Sequence, residues 1–291
     1  MFTCFMMLCI YRGDDFRKDY SHLGMLCASF PNVPVLAQTA TANKYDRKHI
    51  KESLGLKKCV EVVANPDRKN IFYEKYLRKG QDVDNIGEIC RPIAIDLLQS
   101  NVNYPLTIIY MSLRWCGFVY KLFEHVMGSG QYYPPGCAAI PKNRLFAQFH
   151  APQTKHMKEE ILQQLNSQNS TIRVVFATVA FGMGVDIQTI RQIIHIGPPR
   201  TIREYVQETG RAGRDGGLSK AVLHYNNKDI AQNKPGLQDE VRRYCKNEEC
   251  CLRCFLLECL DVKQPKPLSP GHLCCSVCRN TCSCSDICKY K

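Results

Sequence analysis

The sequence has no uninterrupted apolar run that approaches the length of a membrane span. A membrane-crossing helix needs about 20 consecutive, mostly apolar residues. Residues 1–10 are apolar, but this stretch is short, has no basic start and is followed by no small-residue cleavage site. We therefore expect an intracellular protein without a membrane partner.

Acidic residues are few, with 27 Asp and Glu against 39 Lys and Arg, which gives a net charge of +12. Such an excess favours polyanionic partners, nucleic acid first and anionic membrane surfaces second, although charge alone does not choose between them. At 291 residues, the chain can form two modest domains, or one domain with appendages.

The eighteen cysteines are distributed unevenly: seven are scattered through the first half, and eleven lie between Cys245 and Cys288. CxxC spacing within an otherwise ordinary α/β sequence indicates metal binding rather than disulfides. Four thiolates hold Zn²⁺ tetrahedrally at about 2.3 Å, and one CxxC unit supplies two of them. We expect a structural zinc ion, because no open coordination position is implied.

Short apolar runs alternate with helical patterns between residues 91 and 224. The predicted strands cover residues 107–111, 145–150, 174–177, 193–196 and 221–225, and the predicted helices cover 115–127 and 154–165. Met157, Ile161, Leu162 and Leu165 recur at helical spacing and are expected in the core. A further short strand is expected at 60–64. This alternation predicts a parallel sheet with helices on both faces, and function at the carboxyl ends of its strands.

Residues 172–216 carry the strongest chemical signal. Thr201 is suited to cap a helix that ends at Gly210, and two arginines, Arg211 and Arg214, follow on a glycine-spaced turn. Guanidinium groups fork onto phosphate oxygens, so this pair suits an arginine finger that contacts a transferring γ-phosphoryl group. A solvated basic turn is the alternative interpretation.

At these residues the sequence resembles a known family. Residues 177–186 (ATVAFGMGVD) and 207–216 (QETGRAGRDG) resemble motifs V and VI of the RecQ branch of the superfamily 2 helicases. The resemblance implies RecA-like motor domains that use ATP and Mg²⁺. It implies catalytic roles for Arg214, Arg211 and Gln207, and places Asp186 and Gly184 near the nucleotide.

Two further stretches resemble segments of the same family. Residues 13–24 (GDDFRKDYSHLG) resemble its aromatic-rich loop, which implies that Phe16 and Arg17 contact single-stranded DNA; a surface loop with one buried aromatic is the alternative. Residues 33–42 (VPVLAQTATA) resemble motif III, whose Thr39 and Thr41 would link the nucleotide and DNA sites. The resemblance also places Ser112 and Thr178 near the DNA backbone.

A zinc-binding segment follows the motor in this family, and the resemblance implies four ligands: Cys251, Cys275, Cys278 and Cys282. The register stays open, because Cys250 and Cys274 are adjacent alternatives to the first two. Cys284 and Cys288 are left as a partial second pair, and two ligands do not complete a tetrahedron.

Two parts that a helicase of this kind needs, a phosphate loop ending in Gly-Lys-Ser/Thr and a DEAH-type box, do not occur in the sequence. The resemblance therefore implies a remnant of the first RecA-like domain at 1–64, the second RecA-like domain at 65–232 and a zinc-binding segment at 233–291.

The expected function is that of a 3′–5′ DNA helicase in repair and recombination, acting in the nucleus on single-stranded DNA and duplex junctions. We expect little or no ATP hydrolysis by the isolated chain. The alternatives are a truncated, ATPase-inactive DNA-binding paralogue with a structural zinc site, and a zinc-stabilised interaction protein.

Overall fold

The computed structural model describes residues 4–7, 23–30, 32–39, 42–79, 83–182 and 186–284. The chain divides into two compact units. The first contains residues 1–67 and 254–266, and the second contains residues 68–253 and 267–291. Among the helices of these described ranges, none combines the length and the apolar character that a membrane crossing requires.

The first unit contains a pair of parallel strands and two helices. Strand β1 (Cys4–Met7) pairs with β2 (Val35–Gln38), with Cys4 opposite Val35. Helix α1 spans Leu23–Ser29, and α2 spans Lys44–Ser53. Asn43 begins α2 with a capping box, because its side chain accepts from the Asp46 backbone N–H while the Asp46 carboxylate accepts from the Asn43 backbone N–H.

The strand predicted at residues 60–64 is wrong. This stretch pairs with no other strand, and the side chains of Val60 and Val62 are 89% and 93% exposed. A valine-rich run forms a strand only where a neighbouring strand and a core are available to it.

The second unit is built on a six-stranded parallel sheet in the order β3-β8-β7-β4-β6-β5. Its strands are β3 (Ile71–Leu77), β4 (Thr107–Tyr110), β5 (Phe146–Phe149), β6 (Val174–Ala177), β7 (Gln192–Ile196) and β8 (Ser219–Tyr225). Every residue of β4 and β6 is buried, as expected for central strands covered on both faces. The predicted parallel sheet is confirmed.

Helices connect these strands. They are α3 (Val83–Ser100), α4 (Leu113–Met127), α5 (Lys155–Asn166) and α6 (Ile202–Thr209). One face of α4 packs Val119 and Phe123 into the main core, where the Phe123 ring lies 4.7 Å from the Phe176 ring of β6. Helix α5 is only partly packed: Leu165 is buried, whereas Met157 is 47% exposed, so the predicted four-residue core stripe is wrong at Met157.

Three short helices complete the described chain: α7 (Asp239–Lys246), α8 (Leu252–Glu258) and α9 (Ser276–Asn280). A single 3₁₀ turn, Gly271–Leu273, precedes α9. The cysteines between 245 and 284 lie on and between these elements. The regular sheet therefore ends at β8, and the cysteine-rich segment follows it.

Candidate functional site

The carboxyl ends of neighbouring strands bring Ser112 and Thr178 to the same edge of the sheet. Ser112 begins α4 just after β4, and Thr178 follows β6 directly. The two strands pair with each other, and the Met111 N–H donates to the Ala177 carbonyl at 2.9 Å. Ser112 is exposed and Thr178 half-buried, so both hydroxyls lie where a ligand can reach this edge. Their DNA contact stays a prediction.

Helix α6 leads into the arginine-bearing turn, residues 210–217, which we call the arginine turn. The Thr201 hydroxyl accepts from the Glu204 N–H at 3.0 Å, which confirms the predicted cap. Gln207 lies half-buried on this helix, two residues before its end at Thr209. The helix thereby fixes the direction in which the chain enters the arginine turn.

Residues before β3 hold the arginine turn in place. The Arg68 guanidinium donates to the carbonyls of Gly210, Ala212 and Gly213 at 2.7–3.0 Å. The Asn70 amide donates to the carbonyls of Gly213 and Gly217, each at 2.8 Å. Side chains therefore bind four of the turn's eight carbonyls, those of residues 210, 212, 213 and 217, and so support its backbone.

Arg191 anchors the far end of the turn. Its guanidinium forms a bidentate ion pair with Asp215, with N–O distances of 3.0 and 2.5 Å. The hydrogen bonds from Arg191 hold the pKa of Asp215 below its ordinary value. No local sequence pattern singles out Arg68, Asn70 or Arg191, because their roles depend on partners 24 to 147 residues away along the chain.

Gly213 occupies a position that only glycine fits. Its φ is +56°, and a Cβ there would lie 2.4 Å from the Gly217 carbonyl oxygen and 2.5 Å from the Ser219 hydroxyl. A side chain would add left-handed backbone strain to a clash with main-chain atoms. The glycine spacing between Arg211 and Arg214 is therefore a requirement of the turn.

The two arginines differ in their surroundings. The Arg211 side chain is buried and donates to the Gly182 carbonyl, in the loop that follows β6. The Arg214 side chain is 32% exposed and pairs with Asp186, which also accepts from the Gln188 amide at 2.9 Å. Arg211 thus ties the turn to the neighbouring loop, whereas Arg214 reaches the surface beside an acidic group. This distinction favours Arg214 as the finger, which stays a prediction.

A buried polar pair supports the same region. The His195 imidazole lies 2.9 Å from the Glu208 carboxylate, and the two side chains are 2% and 6% exposed. Tyr110 stacks on His195 with ring centroids 5.0 Å apart and donates to the Phe181 carbonyl. Glu208 is therefore an acidic residue of α6 that faces the interior and not the solvent. Its carboxylate joins α6 to the sheet.

Several predicted site residues lie outside the described part of the chain, namely Phe16, Arg17, Thr41 and Gly184. Thr39 is described: it follows β2 and is exposed. The nucleotide and DNA contacts expected of these five residues stay predictions.

The cysteine-rich segment brings four thiols together: Cys251, Cys274, Cys275 and Cys278. The Cys251 sulfur lies 3.5 Å from that of Cys274 and 3.9 Å from that of Cys275. Two sulfurs bound at 2.3 Å to a tetrahedral zinc ion are separated by about 3.8 Å, so these spacings fit the ion. Hydrogen bonding with Cys251 and Cys274 lowers the pKa of Cys275, whereas hydrogen bonding with Cys251 and Cys275 raises the pKa of Cys274 and burial raises that of Cys278.

The sequence left open Cys250 against Cys251 and Cys274 against Cys275; the structure groups Cys251 with both Cys274 and Cys275, and the expected ligand Cys282 is not a member of this group. Cys275 begins α9 and Cys278 lies in its first turn, whereas Cys282 follows the end of the helix. Cys282 instead lies in a second group with His272 and Cys284. Which of these side chains bind a metal stays a prediction.

Edge strand β3 carries the contacts that join the cysteine-rich segment to the sheet. Arg253, which is 1% exposed, donates to the carbonyls of Arg68, at 2.8 Å, and Ile71. Glu74 in β3 is 1% exposed and accepts from Arg279 of α9 at 2.8 Å and from Lys220 of β8 at 2.5 Å. The buried Glu74 carboxylate is paired with two cations, and the buried Arg253 guanidinium is hydrogen-bonded to main-chain carbonyls. These contacts join the cysteine-rich segment to the sheet that carries the arginine turn.

Comparisons with known proteins agree with this architecture. Residues 138–216 match the model of the helicase conserved C-terminal domain. That range contains β5, β6, β7, α6 and all of the arginine turn except its last residue. The matched segment is thus the part of the sheet on which the candidate site is built.

Curated relatives extend the match over most of the chain. The ATP-dependent DNA helicase RecQ of Haemophilus influenzae is 34% identical over 237 residues, which is 79% of this chain and 33% of the relative. The ATP-dependent DNA helicase Q-like 2 of Arabidopsis thaliana is 32% identical over 257 residues, 84% of this chain and 33% of the relative. The chain thus spans about a third of the length of these relatives.

A solved structure shares the fold at low identity. The DEAD-box helicase Mss116 bound to ssRNA and UDP-BeF superposes with a TM-score of 0.59 and 14% identity, covering 76% of this chain and 43% of that one. The predicted RecA-like sheet is therefore confirmed. Together with the domain match and the RecQ relatives, these findings show that the chain belongs to the RecQ family of superfamily 2 helicases.

Proposed function

We propose that this chain supplies the second motor domain and the metal-binding segment of an ATP-dependent DNA helicase that translocates 3′ to 5′. The observation that carries the proposal is the arginine turn. Arg68, Asn70 and Arg191 hold its backbone and its Asp215 carboxylate, so that Arg214 is presented at the surface on a rigid support. Such preorganisation is what charge stabilisation in a transition state requires.

In this proposal ATP and Mg²⁺ bind to a first motor domain, and this chain contributes positive charge. Arg214 would approach the γ-phosphoryl group as negative charge develops on its oxygens. Arg211 would keep the turn against the loop that carries Thr178, so the nucleotide and DNA contacts would share one rigid element. Gln207 and Asp186 would orient the finger from either side.

DNA is the proposed polymer, because both curated relatives described above are DNA helicases by name and the chain carries a net charge of +12. Phosphate contacts supply most non-specific affinity and make it fall steeply with salt. We propose single-stranded DNA and duplex junctions as the bound forms, repair and recombination as the process, and the nucleus as the compartment.

We further propose that the four-thiol group holds a structural zinc ion. The sulfur spacing fits a tetrahedral ion, and the group supplies four ligands, so no position is left for a reacting water. Replacing Cys278 with alanine should lower the zinc content and the melting temperature together, because metal binding here contributes to folding. Unchanged metal content would contradict this assignment.

Grafting tests the motor proposal. The chain replaces the matching third of the Haemophilus influenzae relative, and DNA-stimulated ATP hydrolysis and unwinding are measured. We expect both activities in a graft whose melting curve shows a folded protein. A folded graft that binds DNA in a salt-dependent manner but hydrolyses no ATP would instead support a DNA-binding paralogue.

A further inference from the structure

A second set of metal-binding side chains lies near the four-thiol group but shares no member with it. The donor atoms of His272, Cys282 and Cys284 all lie within 4.8 Å of one another. The Nδ1 atom of His272 is 3.7 Å from the Cys282 sulfur, which is 3.0 Å from the Cys284 sulfur. One imidazole and two thiols are ligands that zinc commonly takes in proteins.

We propose that His272, Cys282 and Cys284 form a second zinc site, separate from the four-thiol site. Around a tetrahedral zinc ion, a nitrogen and a sulfur ligand lie about 3.6 Å apart, and two sulfurs about 3.8 Å apart. The His272–Cys282 spacing already fits this geometry. The Cys282–Cys284 pair has to open by less than about 1 Å, which the single residue between them allows.

The two sites do not compete for ligands. Cys251, Cys274, Cys275 and Cys278 already provide a complete tetrahedron, so Cys282 is not needed there. Three donors leave one position of the second ion to a water molecule. Cys282 and Cys284 are half-buried, as are Cys251 and Cys278 of the four-thiol group, so the second ion should exchange faster because three protein ligands hold it instead of four.

Local packing shows what a second ion would hold together. His272 lies in the 3₁₀ turn Gly271–Leu273, and Cys282 follows α9. The chain passes close to itself here: a Cβ at Gly271 would lie 2.8 Å from the Cys278 carbonyl oxygen and 3.5 Å from the Cys282 Cβ. An ion would therefore fasten both ends of α9, the helix whose Arg279 pairs with the buried Glu74.

Counting zinc tests the proposal without any measurement of DNA or ATP. The full chain, purified under reducing conditions, is analysed for zinc per polypeptide by mass spectrometry of the metal. We expect two zinc ions in the native chain and one each in His272→Ala and Cys284→Ser. Cys137→Ser, a half-buried cysteine outside both groups, is the matched control and should keep two.

Chelator treatment provides a second readout. We expect one ion to leave several-fold faster than the other in the native chain, and only the slow phase to remain in Cys284→Ser. Circular dichroism of that variant should match the native chain, because the four-thiol site is intact. This separates loss of a ligand from loss of the fold.

Three results would overturn the proposal. One is a single zinc ion in the native chain that Cys284→Ser retains. Another is two ions that persist in both His272→Ala and Cys284→Ser. The third is an intact mass that reveals a Cys282–Cys284 disulfide in the reduced preparation. None of these outcomes bears on the motor proposal, which depends on the arginine turn.

Discussion

Replacing Gly213 with alanine perturbs the arginine turn at the residue where its backbone is most constrained. An L-residue in the left-handed region costs roughly 1–2 kcal/mol. The new Cβ would also lie 2.4 Å from the Gly217 oxygen and the Asn70 amide nitrogen. Relieving such overpacking typically costs about 1–3 kcal/mol more. We therefore expect Gly213→Ala to lower the free energy of unfolding by about 2–5 kcal/mol.

Gly216 supplies the matched control, because its φ is +83° but no heavy atom lies within 4 Å of the position a Cβ would take. Gly216→Ala should show only the backbone term, about 1–2 kcal/mol. Urea unfolding with unchanged m-values measures both variants on one scale. Equal losses in the two variants would show that the contacts of Gly213 with Asn70 and Gly217 do not constrain the turn.

The remaining predictions concern the sheet edge. Arg253→Met removes two charge-assisted hydrogen bonds to buried carbonyls and should lower the free energy of unfolding by about 3–5 kcal/mol. The exposed Arg91→Met should change it by less than about 0.5 kcal/mol, and similar losses would contradict the role of Arg253. Burial, and then Arg78, lower the pKa of His224 from 6.5 to about 4. Between these values the unfolded chain binds a proton that the folded chain does not, so stability should fall by up to about 3 kcal/mol as pH drops from 6.5 to 4. In His224→Gln, the free energy of unfolding should depend less on pH between 6.5 and 4. An unchanged slope in this variant would refute the role of His224.

The central strands could be predicted from the sequence because their buried residues follow one another directly along the chain. Strands β4 and β6 are buried at every residue, and each appears as a continuous apolar run. Strand β3 was missed: it contains Glu74 and Lys75 among its aromatic residues. Glu74 is buried only because Lys220 and Arg279 neutralise it from distant parts of the chain. No local pattern reports such a partner.

The arginine turn also combines residues that the local sequence identifies with residues that only the fold identifies. Its motif identified Arg211 and Arg214, whereas Arg68 and Asn70, which hold it, lie near the start of the predicted second domain, outside any recognised motif. Their side chains donate to main-chain carbonyls about 140 residues later in the chain. Every residue type has such a carbonyl, so the sequence of the turn does not indicate which side chains bind it. Residues that position a turn in this way can be recognised only once the fold is known.

The cysteine register could not be settled by spacing. Cys275 forms a CxxC unit with Cys278, but the adjacent Cys274 is only one residue further from Cys278, so spacing alone does not exclude it as a ligand. The structure groups the sulfurs of both residues with that of Cys251. The sequence did not indicate His272 as a metal ligand, because a single histidine before several cysteines is common in loops.

The most direct test of the account is the rate of ATP hydrolysis at saturating DNA when Arg214 is replaced by alanine in the folded graft. Arginine fingers contribute about 10³–10⁵-fold to phosphoryl transfer in related nucleotide hydrolases. We predict a loss of at least about 10³-fold, with DNA affinity within a few-fold of the unsubstituted graft. Preserved turnover together with a large loss of DNA affinity would contradict the account, because Arg214 would then act on DNA and not on the nucleotide.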